Sequence, residues 1–376
     1  MRVGWWLVTV ALWVGSTGCA DHSPAEQVDR SALHLVPNAY AEHFERWEGD
    51  GNTLLLVFGH GGKQDTVGRY WVGAAHGTVG NGEGAIPKDV RKLALSSTTH
   101  VPYVVSLDGT DRISACAHVA DVRDEAIKQR SARGEVKEIS RGDGLDREAL
   151  IALAPQLLFS YPFGTRDEGV LRSSGIQVVQ VAEYLEDHPL GRAEWLLFFG
   201  AVLGKENEAD SLFAGIRDRY ERMRDLSGMP RRPTVLFGSI WEGQWWVPPG
   251  NSYMARLIQD AGGSYLFAEQ RADGNIPVDM ETMVTTAGEA DVWGMIAHVA
   301  GEPAARDFTG GDSRSAGFKA VKEHRLFIGN TRTADLFGQA LIEPDRLLDD
   351  LRRIFRTERG GEAVGTYFST VPLIKR

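Results

Sequence analysis

The sequence predicts an α/β protein of two doubly wound lobes with parallel sheets, joined by a single long helix and preceded by an N-terminal β extension. Short apolar, strand-like runs alternate with helix-sized segments on both sides of residues 205–227, the pattern produced by parallel strands with crossover helices. The stretch Lys205 to Ser227, KENEADSLFAGIRDRYERMRDLS, sets Ala209, Leu212, Phe213, Ile216, Tyr220 and Met223 at three- and four-residue intervals with charges between them. That spacing predicts an amphipathic helix. Only Gly215 interrupts it, and at ~1.5 Å per residue it would run about 34 Å, close to the width of a small domain. A chain of 376 residues, 43% hydrophobic and 24% charged, is long enough for two such lobes and ordinary for a globular protein. A surface helix inside one larger α/β domain is the alternative that length allows.

Taken in order, the chain starts with residues 1–18 as an export signal. Arg2 precedes an apolar run from Val3 to Val14 containing three Trp, too short for a bilayer span of roughly 20 residues. Ser16-Thr17-Gly18-Cys19 resembles the lipobox of bacterial lipoproteins, which implies cleavage before Cys19 and lipidation of its thiol. Ser16 stands where that motif prefers Leu, which leaves secretion without a lipid as the alternative. Residues 19–32 then form a polar tether. With Cys19 acylated, Cys116 is the only other cysteine and no intrachain disulfide forms. The formal net charge of −10 argues against nucleic acid as a partner.

Residues 33–89 are the β extension: FERWEGDGNTLLLVFG carries a Gly-Asp-Gly-Asn turn between β-prone runs, and GRYWVGAA supplies a further strand. The Gly-rich stretch 77–84 is a turn rather than a phosphate loop, because no Lys-Ser/Thr follows it and Glu83 would repel phosphate. The first lobe, 90–189, has strands in RKLALSS, DRISACAHV, QLLFSYPFG and IQVVQVAEY. THVPYVVSLDG, Leu145–Leu153 and Arg166–Ser174 supply its helices, the last capped by Gly175. Residues 190–230 hold the crossover helices. The second lobe, 231–376, repeats the grammar with strands in RPTVLFGSIW, SYLFAEQ, ADVWGMIAHVA and RLFIGN. Its helices are SYMARLIQDAGG, Val278–Ala287, Gly317–Glu323 and Ile342–Phe355.

Several blocks carry a family resemblance: LALSSTTHV, ALIALAPQLLFSY, EYLEDHPLGRAEWLLFFGAVLGKENEAD, RPTVLFGSIWEGQWWVPPGNSYMARLIQDAGG and ADVW. From Val90 to Phe355 they resemble, in order and spacing, the iron-siderophore and cobalamin class of ABC-transporter substrate-binding proteins, in its lipoprotein branch. The resemblance implies a ligand held between two lobes and delivered to a membrane permease, with little hinge opening about one rigid connector. It also implies a place in the cell envelope, periplasmic or extracytoplasmic, with lipid anchoring to a membrane. No cofactor is expected, nor any resident metal, and the chain is expected to be a monomer.

Parallel α/β sheets leave an open crevice at the carboxyl ends of their strands. That rule points to Thr98, Thr99, His100, Tyr161, Phe163 and Tyr184 in the first lobe. In the second it points to Trp241, Trp245, Trp246, Tyr253, Trp293, Asn330 and Arg332. The WEGQWW cluster suits a planar or bulky ligand, since Trp buries a large flat surface and keeps one donor. It also fits core packing at a strand end, just as a single His beside Thr residues fits a cap. Arg332 and Arg166 are candidates to neutralise an anionic ligand. The aromatics outnumber the charges, which favours a neutral corrinoid or a ferric hydroxamate over a catecholate, and haem fits less well because only single His and Tyr candidates are present. Permease docking in the resembled class uses a carboxylate on each lobe. Asp167 or Glu168 holds the first-lobe place, while PPGNSYM offers no acid, so that either Glu242 or Glu269 substitutes in the second or that contact is missing. Two rival functions stay open, a secreted metal-dependent hydrolase and a non-transport envelope lipoprotein. Gly-x-Ser-x-Gly, His-Glu-x-x-His and Cys-x-x-Cys are all missing from the chain.

Overall fold

The structure is a computed structural model that describes residues 33–49, 51–73, 79–80, 82–142, 144–162, 168–225 and 232–372. Cys19, Phe163, Arg166 and Asp167 lie outside the described residues, as do the export signal and the tether.

The extension forms a five-stranded sheet of His34–Val36, Phe44–Gly49, Asn52–Phe58, Thr66–Val72 and Gly84–Ile86, paired in chain order. The first four strands are antiparallel, and Gly49 pairs with Asn52 across the expected turn, with Gly51 at φ +73°. Gly84–Ile86 adds in parallel. Its neighbour on the lobe side is the strand Gln177–Gln180, whose Gln180 N–H donates to the Tyr70 hydroxyl at 2.7 Å.

The first-lobe sheet is wholly parallel, in the order Gln177–Gln180, Leu157–Ser160, Leu93–Leu95, Ile113–Cys116, Lys137–Glu138. The second-lobe sheet runs Ser264–Tyr265, Thr234–Phe237, Val292–Ala297, Leu326–Asn330, with Ser369–Thr370 as an antiparallel edge. In each lobe the chain starts on an inner strand and later reverses direction along the sheet. Loops leaving the two strands at that reversal diverge and open a crevice at their carboxyl ends. In the first lobe these strands are Leu93–Leu95 and Leu157–Ser160, and in the second Thr234–Phe237 and Val292–Ala297.

The expected strand RPTVLFGSIW is divided at Gly238, where the chain leaves the parallel sheet. Ser239–Trp241 and Gln244–Val247 form an antiparallel hairpin, joined by Ile276–Val278 in a separate three-stranded sheet. Gly238 sits at φ +154°, and a Cβ there would lie 2.6 Å from the Trp246 carbonyl oxygen, so the break needs glycine.

Between the lobes run two helices, Pro189–Leu203 and Glu206–Arg224, separated by Gly204 in the left-handed conformation. The second is the expected amphipathic helix, with Ala209, Phe213, Ile216 and Tyr220 buried. Its 19 residues make it about 28 Å long. It begins one residue later than the sequence pattern suggests and ends by Asp225, where the backbone turns extended. The first is buried almost all round, and Arg192 and Glu194 are its only charged residues. Among the described residues no strand pairs one lobe's sheet with the other's, and no helix is long and apolar enough to cross a membrane.

Candidate functional site

Both crevices open into one cleft lined from both lobes, and the cleft has two chambers that share Leu336 and Phe337. The larger, about 850 Å³, is walled by Thr98, the segment 120–124 and Lys128 from the first lobe, and by His298, Thr331 and residues 334–339 from the second. It is the charged half, with Asp121, Arg123, Asp124, Lys128 and Asp335 on its walls. One Arg123 guanidinium N–H donates to the Thr331 carbonyl and so ties the lobes together at this end. The smaller, about 510 Å³, is apolar and aromatic, lined by Tyr184, Trp246, Tyr253, Phe237, Ile296 and Phe337 with Pro248 and Pro249. Phe337 is 59% exposed, an apolar wedge held between the chambers.

The polar centre of the aromatic chamber is Arg192. It rises from the first turn of Pro189–Leu203, where Pro189 opens the helix and His188 Nδ1 accepts from the Leu190 N–H at 3.0 Å. Its Nη2 donates to the Tyr184 carbonyl at 3.1 Å and its Nε to the Glu186 carbonyl at 3.3 Å. The guanidinium lies 4.3 Å over the Tyr253 ring, a cation–π contact. Burial pushes the Tyr253 phenol up to about 12, against the pull of Arg192. Asp187 lines the same chamber with its carboxyl raised, first by burial and then by Glu42. The Trp246 ring forms part of the wall, and its indole N–H is buried without an acceptor among the described residues.

Of the expected contacts, Thr98, Tyr184, Trp246 and Tyr253 line the cleft. Four others are corrected by their packing. His100 is 1% exposed and wedged against Phe159 and Phe199; burial lowers its imidazole to about 3. Trp245 and Trp293 are core residues packed on each other and on Phe318, and the Trp293 indole donates to the Gly238 carbonyl at 3.0 Å. Asn330 is buried and ties its own loop to the one after Val292–Ala297, its Oδ1 accepting from the N–H groups of Val299 and Arg332. Thr99 donates to Glu183 Oε1 at 2.7 Å, so it braces the floor under the cleft. Tyr161, half-buried, and Arg332, exposed, lie outside the lining of both chambers. So does Trp241, 63% exposed at the tip of its hairpin. Glu168 is held by Arg172 at 2.5 Å and accepts from Gln180 Nε2 at 3.0 Å.

Sequence reasoning missed Arg192, Arg123 and Phe337. For Arg192 a signal existed: a helix as apolar as PLGRAEWLLFFGAVL gives each of its two charges a task, since unpaired charges are rarely buried. Among the described residues no group of three His, Cys, Asp or Glu is placed to hold a metal ion.

Residues 94–333 match the family model described as periplasmic binding protein. An uncharacterised lipoprotein of Methanocaldococcus jannaschii is 30% identical over 237 residues, covering 62% of this chain and 55% of the relative. The chain therefore spans little more than half of that relative's length. Among solved structures, a periplasmic heme binding protein from Pseudomonas aeruginosa aligns with TM-score 0.59 at 17% identity, over 76% of this chain and 99% of its own. The structure of an ABC-type Fe3+-hydroxamate transport system from Saccharomonospora viridis aligns with TM-score 0.54 at 15% identity, over 72% of this chain and 95% of its own. At these identities the likeness is one of fold.

Proposed function

This chain belongs to the periplasmic binding protein family, and from that premise we propose that it is the substrate-binding lipoprotein of an ABC importer. Its cargo is a metal chelate, a corrinoid or a ferric siderophore, captured between the lobes and passed to a membrane permease. The observation that carries the reading is the aromatic chamber between the lobes. Tyr184, Trp246, Tyr253 and Phe337 offer flat apolar surface from both sides of the cleft, and Arg192 adds one oriented cation. Flat faces with few polar groups suit a large chelate whose exterior is mostly organic. Arg192 also widens the expected ligand range to chelates bearing a single anionic group. The anchor in this reading is Cys19, and Asp167 and Glu168 are the first-lobe acids that meet the permease.

Calorimetric titration with cobalamin, cobinamide, ferric hydroxamates and haemin tests it. At least one is expected to bind at micromolar affinity or better. Trp246→Ala and Arg192→Ala should each weaken that ligand at least tenfold, about 1.4 kcal/mol. Unchanged affinity in both variants would move the site out of the aromatic chamber, and failure of the whole panel would remove the substrate class. A cargo carried by a lipoprotein also predicts that the native protein partitions with membranes and that Cys19→Ala releases it.

A further inference from the structure

We propose that His60, on a loop of the N-terminal extension, is a contact of the ligand in the cleft, so that a segment outside the family's matched residues helps set specificity. The proposal rests on the binding reading given above.

The position of His60 is built through a chain of fixed contacts. The buried carboxylate of Glu186 accepts from the Glu42 N–H at 2.9 Å and the His43 N–H at 3.0 Å. His43 in turn takes the Phe58 N–H on its carbonyl at 2.9 Å, and its Nδ1 lies 3.2 Å from the Phe58 carbonyl oxygen. Two residues on, the loop is closed on Asp65. The Gly59 N–H donates to the Asp65 carbonyl at 2.8 Å, and the Gly61 N–H donates to its Oδ2 at 3.3 Å. A Cβ on Gly59 would fall 2.2 Å from Asp65 Oδ2, so the Asp65 carboxylate packs directly against the backbone beside His60. Glu186 thus holds both the stem of the loop and, through its carbonyl, Arg192 of the cleft.

The outcome is that the exposed His60 ring, itself outside the lining of both chambers, stands 6.4 Å, edge to face, from the ring of Tyr184, which is a wall of the aromatic chamber. No hydrogen bond of the His60 ring is seen among the described residues. An exposed imidazole beside a wall residue of the cleft offers a donor and an acceptor to the polar part of a bound chelate that extends past Tyr184. The ligand class this favours is a chelate with oxygen or nitrogen groups projecting at the Tyr184 end, beyond what the aromatic walls can satisfy.

Wild type and His60→Ala are titrated with a ferric trihydroxamate, cobalamin and haemin, following tryptophan fluorescence. The expected result is a loss of tenfold or more for whichever probe wild type binds, with His60→Gln recovering part of it. Because the side chain is exposed, the melting temperatures of the variants should match wild type. A second readout uses the gallium form of the hydroxamate: the His60 ring resonance, identified by its disappearance in His60→Ala, should shift on ligand addition. If a probe binds wild type and His60→Ala alike within twofold, with no shift of that resonance, the proposal falls and the binding reading stands. If no probe binds wild type, both fall together.

Discussion

Glu194→Ala is expected to destabilise the protein by about 4 kcal/mol and to release the N-terminal extension from the first lobe. The carboxylate of Glu194 is buried on the apolar helix Pro189–Leu203 and accepts from three successive backbone N–H groups, those of Ala39, Tyr40 and Ala41, each at 2.7 Å. Burial pushes the carboxyl up and the three donors pull it back. Each buried donor left without an acceptor costs roughly 1–3 kcal/mol, less for Ala39 and Tyr40, which water can reach. Glu194→Gln should lose about half as much, because an amide keeps one acceptor oxygen but turns N–H groups toward N–H groups. Urea denaturation gives the stability change, and hydrogen exchange at Ala39–Ala41 locates it. A loss under about 1 kcal/mol would mean the extension is held by Glu186 and by its contacts to Gln177–Gln180, without need of Glu194. Release would also move the His60 loop, so ligand affinity should fall in the same variant.

Replacing His100 by glutamine is expected to flatten the acid side of the stability profile. The imidazole is neutral in the folded protein, because burial lowers it from 6.5 to about 3. In the unfolded chain it takes up a proton below 6.5, so its contribution is present in full above that pH and is lost as the pH falls toward about 3. At about 1.4 kcal/mol per pH unit, the penalty reaches on the order of 3 kcal/mol near pH 4. Glu183 faces it, with Oε2 lying 3.9 Å from His100 Nε2. Burial raises that carboxyl, so its folded form gains a proton earlier than the unfolded chain. Glu183 therefore adds stability as the pH falls toward 4.5 and partly masks the loss at His100. The measurement is the difference between wild type and His100→Gln in urea stability at pH 7 and pH 4. Equal losses in the two proteins would show that His100 titrates normally and is not sealed in the core.

The contrast between His100 and His60 shows where the sequence stops. Both are single histidines in turns, His100 next to threonines and His60 among glycines. Nothing in local spacing separates a ring packed between Phe159 and Phe199 from one left exposed beside Tyr184. The same holds for QWWV: alternation along the strand sends Trp245 into the core and leaves Trp246 facing the cleft. Its phase was not decidable without knowing that the chain leaves the parallel sheet at Gly238.

The sequence by itself determined the alternation of strands and helices, the antiparallel extension with its Gly-Asp-Gly-Asn turn, and the amphipathic crossover helix. These depend on periodicity and turn chemistry, which act over a few residues. Strand order at the two reversals, the pairing of Arg192 with Tyr253, the wedge at Phe337 and the seating of the extension on Glu186 and Glu194 were decided only by the tertiary structure. Each joins residues far apart in the chain, and burial with hydrogen-bond satisfaction, rather than local propensity, selects which side chains meet there.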